Sequence, residues 1–209
     1  VRLLAPGVHQ LLGRPPHMMN AYLVEDVLVD AGTPAAAKRI TRQLDGRALA
    51  AHVVTHAHPD HFGSSHAVCE RYDVPLWTGR RDAEAIETAS PVPAPGLLPS
   101  LLAKMKMPDP HPVARGLREG DEVAGFTVLD APGHSPGHIA LWRDHDGVLL
   151  CGDVFFNVLR LSGPPRFLTH DAERNRESMR RLAELRPKLV LFGHGRPLRD
   201  PDRLKRLVG

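Results

Sequence analysis

The run "THAHPDH", residues 55–61, constrains this chain more than any other stretch. It places His56, His58, Asp60 and His61 directly after the apolar segment "LAAHVV". That segment reads as a buried strand, so the cluster is expected at the strand's carboxyl end, where α/β folds usually build their sites. In an extended segment, residues two apart share a face. His56 and His58 can therefore reach one point together. Asp60 and His61 follow a proline bend and can aim at a neighbouring point.

Later segments supply matching pieces. "APGHSPGH" puts His134 on a Gly/Pro-rich turn, "LLCGDVFF" puts Asp153 at a strand end behind a glycine, and "LFGHG" sets His194 between two glycines. Each time a strand delivers a ligand-type residue onto a tight turn, where glycine lets backbone and ion approach closely. Five histidines and two aspartates suit divalent zinc. Iron or manganese is also admissible, because carboxylates accept harder ions.

Between these motifs the pattern is that of one α/β domain over residues 1–209. "NAYLVE" and "VLVDAG" read as strands joined at Glu25–Asp26, and "GFTVLDAP", "HIALWRD", "GVLLCGD" and "KLVLFGHG" as further strands. "TPAAAKRITRQL", "GSSHAVCERYD" and "RRDAEAIETA" read as helices, as does "THDAERNRESMRRLAELRP", which has Met179, Leu182 and Leu185 on one face and Asp171 as N-cap. "DPDRLKRLVG" is a short closing helix. Strands that pair and then alternate with helices predict sheets covered by helices. Residues 90–116 are rich in proline around the island "LLPSLLAKMKM" and are expected to form a lid or insertion.

Composition narrows the function. The 27 basic against 24 acidic residues are too balanced to argue for nucleic acid, and no apolar run is long enough to span a membrane. Cys69 and Cys151 read as buried thiols in a reducing compartment. Without a leader-like N-terminus, the cytoplasm is the expected location.

"THAHPDH" resembles the HxHxDH signature of the metallo-β-lactamase superfamily, and "PGHSPGH", "GDVFF" and "FGHG" resemble its later motifs, in order. The resemblance runs from "NAYLVE" to "FGHG". It implies an αββα sandwich: two mixed sheets face to face, helices outside, the site along one edge. It also implies two divalent ions, most simply zinc. One would be held by His56, His58 and His134, the second by Asp60, His61 and His194, with Asp153 between them. The implied activity is that of a dinuclear hydrolase in which an activated hydroxide attacks an ester, thioester or lactone carbonyl. Asp60 would orient the nucleophile.

Within that superfamily the motif "PGHSPGH" is similar to the hydroxyacylglutathione hydrolase (glyoxalase II) branch. The chain ends about fifteen residues after His194, so the glutathione-binding C-terminal region of that branch is expected to be missing. The tyrosine that acyl-homoserine lactonases use in the second half of the chain has no counterpart, since only Tyr22 and Tyr72 occur. Asp153 and the lack of an export signal speak against the zinc β-lactamases. Two other readings compete: a mononuclear non-haem iron oxygenase like the persulfide dioxygenases, and a metal-binding module without turnover. The expected partner is a small molecule, with no nucleic acid or membrane; a homodimer is compatible with the sequence.

For the substrate, the "LLAKMKM" island has two readings: a helix packing its Leu and Met on the body with Lys104 and Lys106 solvated, or a lid whose Met105 and Met107 line an apolar pocket. Phe155, Phe156 and Asn157 are expected to wall the cleft, with His17 and His170 at its rim. His138 is expected to support the ligand loop. His9, His52, His66, His111 and His145 read as ordinary surface or core residues.

Overall fold

The computed structural model describes residues 1–90 and 107–209. Most of the "LLAKMKM" island, Met105 included, lies outside the described residues.

Strands β1 (Arg2–Ala5), β2 (Val8–Gln10), β3 (Tyr22–Val24), β4 (Val27–Val29), β5 (Ala51–Val54), β6 (Leu76–Gly79) and β7 (Val113–Leu117) form the first sheet, in chain order. The first four pair antiparallel, and β4 to β7 run parallel. Strands β8 (Glu122–Val123), β9 (Phe126–Asp130), β10 (Ile139–Arg143) and β11 (Val148–Leu150) build most of the second sheet. A small hairpin, β12 (Phe156–Asn157) and β13 (Leu161–Ser162), follows. Then β14 (Leu189–Leu191) returns to pair parallel with β11.

Side-chain alternation explains why strands as short as three residues suffice. On β5, Ala51 and Val53 face the space between the sheets, while His52 and Val54 face the other way. On β11, Val148 and Leu150 point inward and Leu149 outward. Phe126, Ile139, Leu141 and Leu191 from one sheet therefore meet Val24, Val29, Val53 and Leu117 from the other in a single apolar layer.

Helices cover the outer faces. Helix α1 (Ala37–Gln43) lays Ile40 against Leu23 and Leu28 of the first sheet. Helices α2 (Ser65–Tyr72) and α3 (Ala83–Glu87) bury Cys69 and Ile86 with Val54 and Leu76. On the second sheet, α4 (Ala172–Glu184) buries Met179 and Leu182, and α5 (Pro201–Val208) buries Leu204. Helix α4 starts where predicted: Asp171 accepts from the backbone N–H groups of Glu173 and Arg174 at 3.0 and 2.9 Å. The layers are α, β, β, α, as the resemblance implied. Strand β7 begins at Val113, so the last residues of the expected insertion belong to the first sheet.

Candidate metal centre

Loops at the same end of both sheets converge. The loop from β5 to α2 carries His56, His58, Asp60 and His61; the β9–β10 loop carries His134; Asp153 follows β11 and His194 follows β14. His56 Nε2 lies 3.1 Å from His58 Nδ1, and His134 Nε2 lies 3.3 Å from Asp153 Oδ2. His194 Nε2 is 3.2 Å from Asp60 Oδ2 and 3.3 Å from His61 Nε2. Asp153 faces both halves: Oδ2 is 3.1 Å from His194 Nε2, and Oδ1 is 3.4 Å from His61 Nε2. At this centre, three sets among the described residues have donor atoms within 4.8 Å of one another: His56–His58–His134, His56–His61–Asp153, and Asp60–His61–His194.

A ring of buried partners aims these donors. His61 Nδ1–H donates to Asp30 Oδ2 at 2.8 Å, leaving Nε2 to face the centre. Asp30 also accepts from the Thr55 hydroxyl, which lies 3.0 Å from His56 Nδ1. His194 Nδ1–H donates to the carbonyl of Met18. His138 is fully buried, stacks on His56, and accepts from the Asp153 N–H through Nε2 at 3.0 Å. A Cβ at Gly152, where φ is +50°, would fall 2.6 Å from that Nε2. Asp82 accepts from the Ser135 hydroxyl and from the N–H groups of Gly137 and Ala57, which ties the His134 loop to the first sheet. Asn20 Nδ2 donates to the carbonyls of Phe192 and Gly195, and the Tyr22 hydroxyl donates to that of Phe192, clasping the His194 loop. Sequence reasoning finds His138 but misses Asp30, Asp82 and Asn20. Asp30 ends the strand-like "VLVDAG" just as Asp153 follows "LLCG", a signal that was there to use; Asp82 reads only as a helix start.

The electrostatics ask for positive charge at the centre. Burial and neighbouring imidazoles hold His56 well below its ordinary value and His58 down to about 3, so both are neutral. Burial also pushes His61 and His194 down, but the carboxylates of Asp153, Asp30 and Asp60 outweigh it. His61 ends well above its ordinary value and His194 at about 10. Their Nδ1 atoms already donate outward, so the carboxylates draw protons onto Nε2. Divalent cations meet the same demand while leaving the imidazoles neutral. Buried His134 has no hydrogen bond at either ring nitrogen among the described residues, nor does Asp153 at Oδ1. Orphaned buried donors of this kind, in an all-His/Asp set, fit divalent ions.

The residues expected at the substrate side are dispersed. Phe156 packs 4.6 Å from the His194 ring and 6.3 Å from the His134 ring, at the centre's edge. Asn157 donates to the Arg196 carbonyl, and its backbone N–H donates to that of His194, so it shapes the ligand loop. His17 accepts at its carbonyl from the Gly195 N–H and lies beside the same loop. His170 is exposed, and its N–H donates to the His134 carbonyl. Met107 is half-buried in the segment leading to β7. Phe155 corrects the expectation: it sits in the bend before β12 and is fully buried with Val154, Met179 and Phe192, away from the centre's edge.

Two facing mixed sheets between helices, with a His/Asp-rich centre at their shared end, define the class: an αββα sandwich built to hold metal. The chain belongs to the metallo-β-lactamase superfamily, whose family model matches residues 14–194. A probable metallo-hydrolase of Bacillus subtilis (strain 168), YflN, is 31% identical, covering 93% of this chain and 86% of that protein. A hydroxyacylglutathione hydrolase of Bdellovibrio bacteriovorus is 28% identical over 69% of this chain, but only 48% of its own length is covered. Among solved structures, TTHA1623 in a di-iron-bound form superposes with a TM-score of 0.72 at 32% identity, covering 90% of this chain and 92% of that one. No helix among the described residues is long and apolar enough to cross a membrane.

Proposed function

We propose that the protein is a dinuclear metal-dependent hydrolase that cleaves an ester, thioester or lactone bond in a small molecule. The observation that carries the reading is Asp153, whose two oxygens face donors of both ligand sets. In this reading His56, His58 and His134 hold one ion, Asp60, His61 and His194 the other, and Asp153 joins them. Bound there, the ions would supply Lewis acidity toward a carbonyl oxygen and acidify water for attack at neutral pH. The rest is the work of this chain's own groups. Asp30, Thr55 and the Met18 carbonyl fix the rings. Asp60, with 30% of its side chain exposed, is the carboxylate of the set that reaches solvent. Burial pushes its carboxyl up, but His61 and His194 outweigh this and hold it well below the usual range. Beside bound cations it would likewise be ionised, able to orient attacking water and carry a proton toward the leaving group.

The hydroxyacylglutathione hydrolase relatives favour thioesters as the first substrates to try, and the di-iron form of TTHA1623 makes iron as acceptable as zinc. The test is tightly bound metal per chain, followed by turnover of a thioester, ester and lactone panel. Two ions and turnover, with turnover lost in Asp60→Asn while the fold stays intact, support the reading. One iron per chain with oxygen uptake on thiol persulfides replaces it with an oxygenase. Bound ions with neither activity leave a binding module.

A further inference from the structure

Away from this centre, two histidines read as ordinary from the sequence come together. His66 and Glu70 stand four residues apart on α2, on one face of the helix. His111, in the segment leading to β7, reaches the same face. His66 Nδ1 and His111 Nδ1 oppose each other at 3.3 Å, with the rings at 73° and 5.4 Å apart. With a Glu70 oxygen, the donor atoms all lie within 4.8 Å of one another.

We infer that His66, Glu70 and His111 form a separate site for a divalent transition-metal ion of the zinc class. Facing Nδ1 atoms can share only one proton, whereas one ion satisfies both lone pairs. An ion about 2.05 Å from each nitrogen would subtend about 107° across the 3.3 Å gap, close to the tetrahedral angle zinc adopts. Two imidazoles and a carboxylate are a ligand set zinc accepts, with water completing the shell. Burial and the neighbouring His66 keep His111 below its ordinary value, although Glu70 pulls the other way, so its ring is in the neutral, ligating form at neutral pH. Both histidines are half-buried and Glu70 is exposed, so the ion exchanges with solvent. It is a fastening and not a reaction site: it ties the segment before β7 to α2, the helix that follows the "THAHPDH" loop. The inference is independent of the proposed hydrolase activity.

The test is a Zn²⁺ titration by calorimetry on protein whose tightly held metal is already in place. Wild type is expected to take up one further ion per chain, and Zn²⁺ to raise its Tm. His111→Ala and His66→Ala are expected to bind that ion at least about tenfold more weakly, since even removal of a supporting partner costs a metal site about 10–100-fold. They should keep the tightly held metal and the circular dichroism of the wild type. Should an alanine variant fail to fold, Glu70→Gln at an exposed position gives the same reading through weaker binding. Coincident isotherms for wild type and the folded variants, or no further uptake by wild type, overturn the inference.

Discussion

Gly193 shows how little room the proposed centre leaves. A Cβ there would fall 2.0 Å from Asp153 Oδ1 and 2.6 Å from His61 Cε1. Gly193→Ala should therefore displace Asp153 and lower the metal content of the proposed centre, read by metal analysis against wild type; equal metal content would show that Asp153 can move without cost. His52 acts at a distance from that chemistry. It is fully buried, donates from Nδ1 to the Leu28 carbonyl at 3.0 Å, and accepts at Nε2 from the Ser65 hydroxyl at 2.8 Å. Burial lowers its pKa from 6.5 to about 4. The unfolded chain thus binds a proton that the folded one rejects. The stabilisation is complete above pH 6.5 and is lost as pH falls toward about 4, on the order of 3 kcal/mol in all. Denaturant midpoints should fall more steeply between pH 6.5 and 4.5 in wild type than in His52→Gln; parallel slopes would refute it. At this scale the sequence was most legible where function is local. His56, His58, Asp60 and His61 announce themselves by spacing. Asp30 and Asp82 do not, because their roles depend on which distant loops they meet. Phe155 misled because the bend that turns it into the core beside Met179 and Phe192 depends on that distant packing and leaves no local pattern.

Among the elements, α3 matters out of proportion to its five residues. The Asp82 side chain does not cap it but reaches across to the His134 loop and to the Ala57 N–H. Asp82→Ala leaves three donors unpaired, each costing roughly 1–3 kcal/mol when buried. It should lower both Tm and metal content, whereas a change in Tm alone would make the residue merely structural. Asp171→Ala is the contrasting case. Loss of this N-cap should cost about 1 kcal/mol, or roughly 2–4 °C in Tm, without touching metal content. Helix α4 was legible because cap, apolar stripe and charges agree over thirteen residues. Strands β1, β2 and β12 were not, since two to four residues carry too little pattern. Strand β7 was hidden because "HPVARG" looks like the end of a proline-rich stretch, and its partner among the described strands, β6, is not local.

At the scale of the whole molecule, the centre lies where loops of the two sheets meet, beyond the apolar layer that packs their inner faces together. If ions are held there, chelation should lower the melting temperature: a ligand present at 100 times its Kd stabilises by about 2.7 kcal/mol per site. Equal melting curves with and without chelator would show that the fold does not depend on the centre. The αββα order was legible from alternating strands and helices once the motif family was in view. The return of β14 to pair with β11 was not, because that contact crosses the hairpin and helix α4 that lie between them in sequence. The clasp of Asn20 and Tyr22 on the His194 loop has a consequence in time. Tyr22 lies 170 residues before Phe192 and Asn20 172, so a ribosome must translate that whole interval before this clasp can close. Domains build from their N-terminal side as they emerge, yet here four donors on the first sheet wait for Asp153 and His194. If the proposed centre binds metal, both ligand sets can be complete only once His194 has left the ribosome, so capture of the second ion would follow translation of that loop.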